Sequence, residues 1–207
     1  MTSDDTVEQT ELDWYERKSF MMQESLGKEH DKVMHALIPY AIGGALDLYY
    51  FPNGIPGTAI ATKELSVLPN EGSTNRIYRT YELVMFTRNA LDLDAAQDER
   101  TAFGRAHRNI AAILNPIARY SEQATLNPGD TCEFPEEMER VGGKCIIFDG
   151  YACHSDDVAD DFGLLAVVEI FRSELEFARQ QGSESLIELL EGQGIWPYSD
   201  LDREPIV

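Results

Sequence analysis

The side chains of this 207-residue chain that could do chemistry are four histidines, three cysteines and 37 carboxylates, and their spacing decides what they can do. His30 and His35 stand five apart, so on a helix they would face different ways, whereas a metal-binding pair needs the shared face of i, i+4 spacing. His107 and His154 are remote from both. No metal site is expected. Cys153 and His154 resemble a nucleophile beside its base, but adjacent residues of an extended segment point to opposite sides and cannot share a proton. Cys132, Cys145 and Cys153 are odd in number and lack Cys-x-x-Cys spacing, which is the pattern of reduced cytoplasmic thiols. Neither Gly-x-Ser-x-Gly nor Gly-x-Gly-x-x-Gly occurs, and Val141-Gly-Gly-Lys144 lacks the upstream Gly and following Ser or Thr of a phosphate loop. Carboxylate pairs are too numerous for any two to mark an acid and a base. No catalytic residue and no cofactor is expected, so the chain reads as a non-enzyme.

Charge carries more information than motif. Asp and Glu exceed Lys and Arg by 37 to 17, a formal charge of −20, which disfavours nucleic acid and anionic membranes as partners. Fourteen acids fall between Asp149 and Val207 against Arg172, Arg179 and Arg203 alone. Asp156, Asp157, Asp160 and Asp161 crowd one expected loop, with Asp200 and Asp202 near the end of the chain. These six are the candidate contacts for a basic protein partner, steered in by the field of the acidic face; a solubilising surface is the plainer reading. The opposite signal is local. Thr101–Tyr120 holds Arg105, Arg108, Arg119 and His107 and no acid, so these arginines either pair with acidic neighbours or accept an anion. The anion reading gives the alternative function, a small-molecule enzyme or binder with a pocket beside this helix.

The elements that must position these residues follow from period and punctuation. Val7–Leu26 has helical spacing ended by Gly27, and a short helix is expected over Lys28–Leu37. Ala45–Phe51 and Thr58–Leu65 read as strands joined by the turn signal Pro52–Gly57, and Arg79–Thr87 as an interior strand. Asp98 is placed to cap a helix from Glu99 to about Asn115, which Pro116 should kink or end. After the loop Asn127–Asp130, strands are expected at Lys144–Asp149 and Leu164–Phe171. Ser173 and Glu176 have capping-box spacing for a helix closed by Gly182, and Ser183 starts another. The order predicts a single α+β domain with a mixed or antiparallel sheet, hairpins, an N-terminal helix, a central helix and two C-terminal helices. With 43% hydrophobic and 26% charged residues the composition is globular. Met-Thr-Ser-Asp-Asp at the start shows no secretory signal, and no uncharged stretch reaches the length of a membrane span, so a cytoplasmic location is expected.

Several segments resemble the suppressor of fused family. Leu46–Pro52 is similar to its first strand and Tyr81–Met85 to its acidic-Leu-Val-Met strand. Ile113–Tyr120 with Pro128–Thr131 is similar to its Leu-Ala-Arg-Tyr helix end and Gly-containing loop. Glu174–Ile195 resembles its closing helix–Gly–helix, and Asp200-Leu-Asp-Arg203 its Asp-x-x-Arg. The order is that of the family, over Leu46 to Arg203. The family's Thr-x-Gly-Met-Ser-Asp becomes Thr62-Lys-Glu-Leu-Ser66-Val here, which keeps the Thr and Ser only. Helical spacing gives an N-terminal helical segment over residues 1–37, and the resemblance implies a suppressor of fused-like α+β domain over 38–207, together one structural domain that acts by binding another protein. Eukaryotic relatives hold a transcription factor in check and short bacterial relatives neutralise toxins as immunity proteins, so the resemblance implies a toxin or a regulator as partner.

Overall fold

The computed structural model describes residues 3–68, 71–154 and 162–207, and of residues 3–12 the backbone alone. Trp14, Lys18, Met22 and Leu26 recur at every fourth position, and one face of helix α1 (Ser3–Leu26) buries all four. Lys18 interrupts the apolar stripe in sequence but not in space. Gly27 ends the helix with φ of 80°, and its bare Cα lets another loop approach: a Cβ there would sit 2.6 Å from the Gly54 nitrogen. Residues 28–37, expected as a helix, are irregular chain instead. The His30 N–H donates to Tyr50 O at 2.8 Å, and Met34 forms a bridge with Leu48. A helix of about ten residues is marginal by itself, and here pairing along the neighbouring strand satisfies its backbone instead.

That strand opens a sheet of six: β1 (Tyr49–Phe51), β2 (Thr58–Ala61), β3 (Thr80–Thr87), β4 (Thr131–Glu133), β5 (Cys145–His154) and β6 (Phe162–Ile170). They lie in the order β1-β2-β3-β6-β5-β4. The β3–β6 pair is parallel and the other neighbours are antiparallel, which makes the sheet mixed. The central strands β3 and β6 are buried at every residue, so neither alternates between apolar and polar. Strand β4 was not expected, because three residues are too few for a period.

Helix α2 (Ala102–Ser121) covers one face of the sheet with Ile110, Ile113, Leu114 and Ile117 against Tyr50, Tyr81, Leu83 and Phe148. The other face carries α1 together with α3 (Arg172–Gln181) and α4 (Ser183–Gly192). The fold is the expected α+β single domain, a sheet between helices. Its boundaries differ in detail. Thr101, not Asp98, caps α2, its hydroxyl accepting from the Gly104 N–H at 3.0 Å, while Asp98 binds the Arg100 side chain. Pro116 does not end α2. The Asn115 amide donates to Ala111 O at 2.8 Å in the turn before the proline, adding a side-chain bond to the helix next to the place where Pro116 has no N–H. Helix α3 starts one residue before Ser173, and Glu174, not Glu176, accepts the Phe171 N–H at 2.9 Å. No helix among the described residues is long and apolar enough to cross a membrane.

Candidate functional site

The three arginines of α2 occupy two separate places. Arg108 pairs with Glu99 at 2.6 Å, and Arg105 donates to the carbonyls of Glu99 and Arg100, so both serve the turn that leads into the helix. Arg119 stands near the other end, over the Tyr40 ring at 3.6 Å, paired with Glu122 at 3.1 Å and donating to Gly44 O. Of the acidic candidates, Asp200 accepts from the Thr87 hydroxyl and the Arg88 N–H, each at 2.6 Å, and so fastens the C-terminal tail to the end of β3. Asp202 is exposed on the rim of a shallow cavity with Arg88 and Gln193. Asp156, Asp157, Asp160 and Asp161 fall between β5 and β6, outside the described residues. Among the described residues no group of three or more His, Cys, Asp or Glu could hold a metal. Cys153 and His154 both lie in β5, where His154 binds the Ser25 hydroxyl at 2.6 Å.

Sequence reasoning missed the densest polar cluster. Glu82, fully buried in β3, accepts four hydrogen bonds: from Lys18 Nζ at 3.0 Å, Ser66 N–H at 2.9 Å, Thr62 Oγ1 at 2.6 Å and Leu65 N–H at 3.2 Å. Lys18 in turn donates to the carbonyls of Lys63 and Ser66, at 2.8 and 2.6 Å. The loop Thr62–Ser66 is thus clamped from inside by one buried ion pair. A charge that deep is tolerable only when paired and hydrogen-bonded throughout, as this one is. The Lys63 ammonium lies over the rings of Tyr15 and Tyr49 and bonds Glu29; burial pulls it below the usual lysine range and Glu29 pulls it part of the way back. The signal was in the sequence: Glu82 is the one charged residue of an otherwise uncharged interior strand.

This loop walls a cavity of about 820 Å³ lined by Trp14, Tyr15, Tyr40, Glu64 and Val67 among others. Glu64 is half-buried there and accepts the Asp47 N–H at 2.8 Å. Burial pushes its carboxyl up to about 7, with Asp47 and Glu82 adding to the rise against the hydrogen bond from Asp47. A second cavity, of about 860 Å³, runs beside β4 and is lined by Ile117, Tyr120, Leu126, Phe134, Met138 and Phe148. Strand β4 ends the sheet with a neighbour on one side only. The opposite edge, β1, is partly covered by residues 30–34 through the His30 and Met34 bonds.

A model of the suppressor of fused protein family matches residues 44–204. The chain belongs to the suppressor of fused family. A chain of the Sufu-Fu complex crystal structure is 18% identical with a TM-score of 0.60, over 94% of this chain and 91% of that one. The crystal structure of Drosophila Suppressor of Fused is 17% identical with a TM-score of 0.56, over 88% of this chain but 47% of that one, so this chain spans about half its length. At these identities the likeness is one of fold. No curated protein matches by sequence.

The suppressor of fused segments take structural places. Tyr81–Met85 is the centre of β3, Ile113–Tyr120 the Pro-containing end of α2, and Pro128–Thr131 the turn that delivers β4. In Asp200-x-x-Arg203 both charges bind the fold, Asp200 on β3 and Arg203 through a two-pronged pair with buried Glu174. Burial would raise Glu174, but Arg203 and the N–H groups of Phe171 and Ile206 hold it below the usual carboxylate range. In this suppressor of fused domain the altered Thr62–Ser66 segment keeps two of the three residues that Glu82 grips, Thr62 by its hydroxyl and Ser66 by its N–H, while the third, Leu65, is held by its backbone N–H.

Proposed function

We propose that this suppressor of fused domain is a cytoplasmic, non-enzymatic binding module that captures a basic protein, as an immunity protein neutralising a toxin or as a regulator sequestering its target. The observation that carries the reading is the open edge at β4 beside an apolar groove. A strand with one free side offers backbone donors and acceptors to an extended segment, while Tyr120, Leu126 and Met138 offer apolar contact to its side chains. A protein of the same fold has been crystallised in a Sufu-Fu complex, which supports a macromolecular partner here too. The acidic excess supplies the steering, and Asp156, Asp157, Asp160, Asp161 and Asp202 are its proposed contributors, with Asp200 held to a structural task.

The test is affinity capture on the immobilised chain, followed by titration of the captured protein against variants. Tyr120 is 53% and Met138 37% exposed, so Tyr120→Ala and Met138→Glu should leave the melting temperature unchanged. Both should weaken binding about tenfold or more if these side chains anchor the partner. Unchanged affinity in both variants would remove the groove from the reading.

A further inference from the structure

The charges around the Thr62–Ser66 cavity cancel in pairs: Lys18 with Glu82, Lys63 with Glu29, and Glu122 with Arg119. Glu64 is the exception. Among the described residues it accepts the Asp47 N–H, and the cation whose field reaches it, Lys18, is already paired with Glu82. Asp47 stands behind it with its carboxylate already taken by His35 and the Ala36 N–H. Trp14, Tyr15 and Tyr40 line the same space, and Arg17, Lys63 and Arg119 already lie over their rings, as aromatic faces attract cations. A half-buried carboxylate in such surroundings is costly until it is either protonated or met by a positive group. We propose that this cavity receives a lysine or arginine side chain from a protein partner.

A protein source is indicated by the rim. Tyr15 and Val67 at the mouth are 43% and 58% exposed, and Ile38 and Ile42, on either side of the Tyr40–Ala41 wall, are 58% and 75% exposed. A free amine would leave these groups in water, whereas a protein surface would cover them and seal the ion pair from solvent. The inference rests on the protein-binding reading for the source of the cation, but places it away from the β4 groove.

Trp14 is one of two tryptophans, and the other, Trp196, packs on Tyr151 and serves as an internal control. In an NMR titration the Trp14 indole N–H signal should shift with end-blocked Ala-Ala-Lys-Ala-Ala or its arginine analogue, and the Trp196 signal should not. The norleucine peptide should give no shift. Glu64→Gln keeps an acceptor for the Asp47 N–H and should weaken the lysine peptide about tenfold or more at an unchanged melting temperature. No shift, equal binding of the norleucine peptide, or full affinity in a folded Glu64→Gln protein would overturn the cation site. Butylamine bound as tightly as the lysine peptide would overturn the protein source. The Tyr120 and Met138 variants report on β4 alone, so the two readings can fail separately.

Discussion

Glu82 meets a lysine 64 positions away in sequence, and that pairing explains both what could and what could not be read from the residues. A carboxylate inside Thr80–Thr87 announces that a partner must exist, since an unpaired buried charge is not stable. It does not say which partner. Lys18 lies in α1, four residues from both Trp14 and Met22 and so on their face, but its charge alone argues for solvent. Only the packing of α1 on the sheet turns it inward. Lys18→Met should therefore cost more than its size suggests, about 3–5 kcal/mol, because Glu82 would be left charged and buried. Urea unfolding measures this directly, and a loss below about 1 kcal/mol would mean that Glu82 finds water or a proton without Lys18. The histidine reading, by contrast, assumed a helix over His30 and His35, and residues 28–37 are irregular chain along the neighbouring strand, so helical spacing does not govern where these two stand.

At the scale of elements, helices and long strands were legible and short extended pieces were not. The stripe of α2 and the uncharged runs of β3 and β6 have enough residues to show a period; β4 and the chain from Lys28 to Leu37 owe their shape to neighbours. Capping positions slipped because a side chain can choose among several nearby N–H groups. Asp98 turned to Arg100, and Glu174 took the place assigned to Glu176. Glu174 then does a second task, holding the tail through Arg203. Its carboxyl sits below its ordinary 4.5 in the fold, so the stability this gives is complete above that value and drains as pH falls through the lower, folded value. Arg203→Gln should remove the acid-sensitive part and cost about 3–5 kcal/mol at neutral pH. In thermal melts from pH 7 down to about 3, the gap between wild type and variant should narrow toward the acid end. A constant gap would show that Arg203 stabilises by packing, not by charge.

For the molecule as a whole, the formal charge of −20 is the property that sequence states most plainly and structure cannot add to. Buried ion pairs account for little of it. Lys18 with Glu82 and Arg203 with Glu174 each cancel internally, so the excess is carried by exposed acids such as Asp202 and by the acid-rich stretch between β5 and β6. A field of this kind accelerates the approach of a basic partner over distances of about one screening length, roughly 10 Å at 0.1 M salt. Contact at the proposed β4 and Glu64 sites would come later and at shorter range. Rate constants should separate the two stages. Association measured by stopped flow should slow by about tenfold or more between roughly 0.02 and 0.5 M salt, while dissociation changes little, because steering acts before contact and the docked groups are shielded from ions. Tyr120→Ala should do the reverse, raising dissociation and leaving the salt slope of association intact. Association indifferent to salt would separate the acidic surface from binding and leave it a solubilising one.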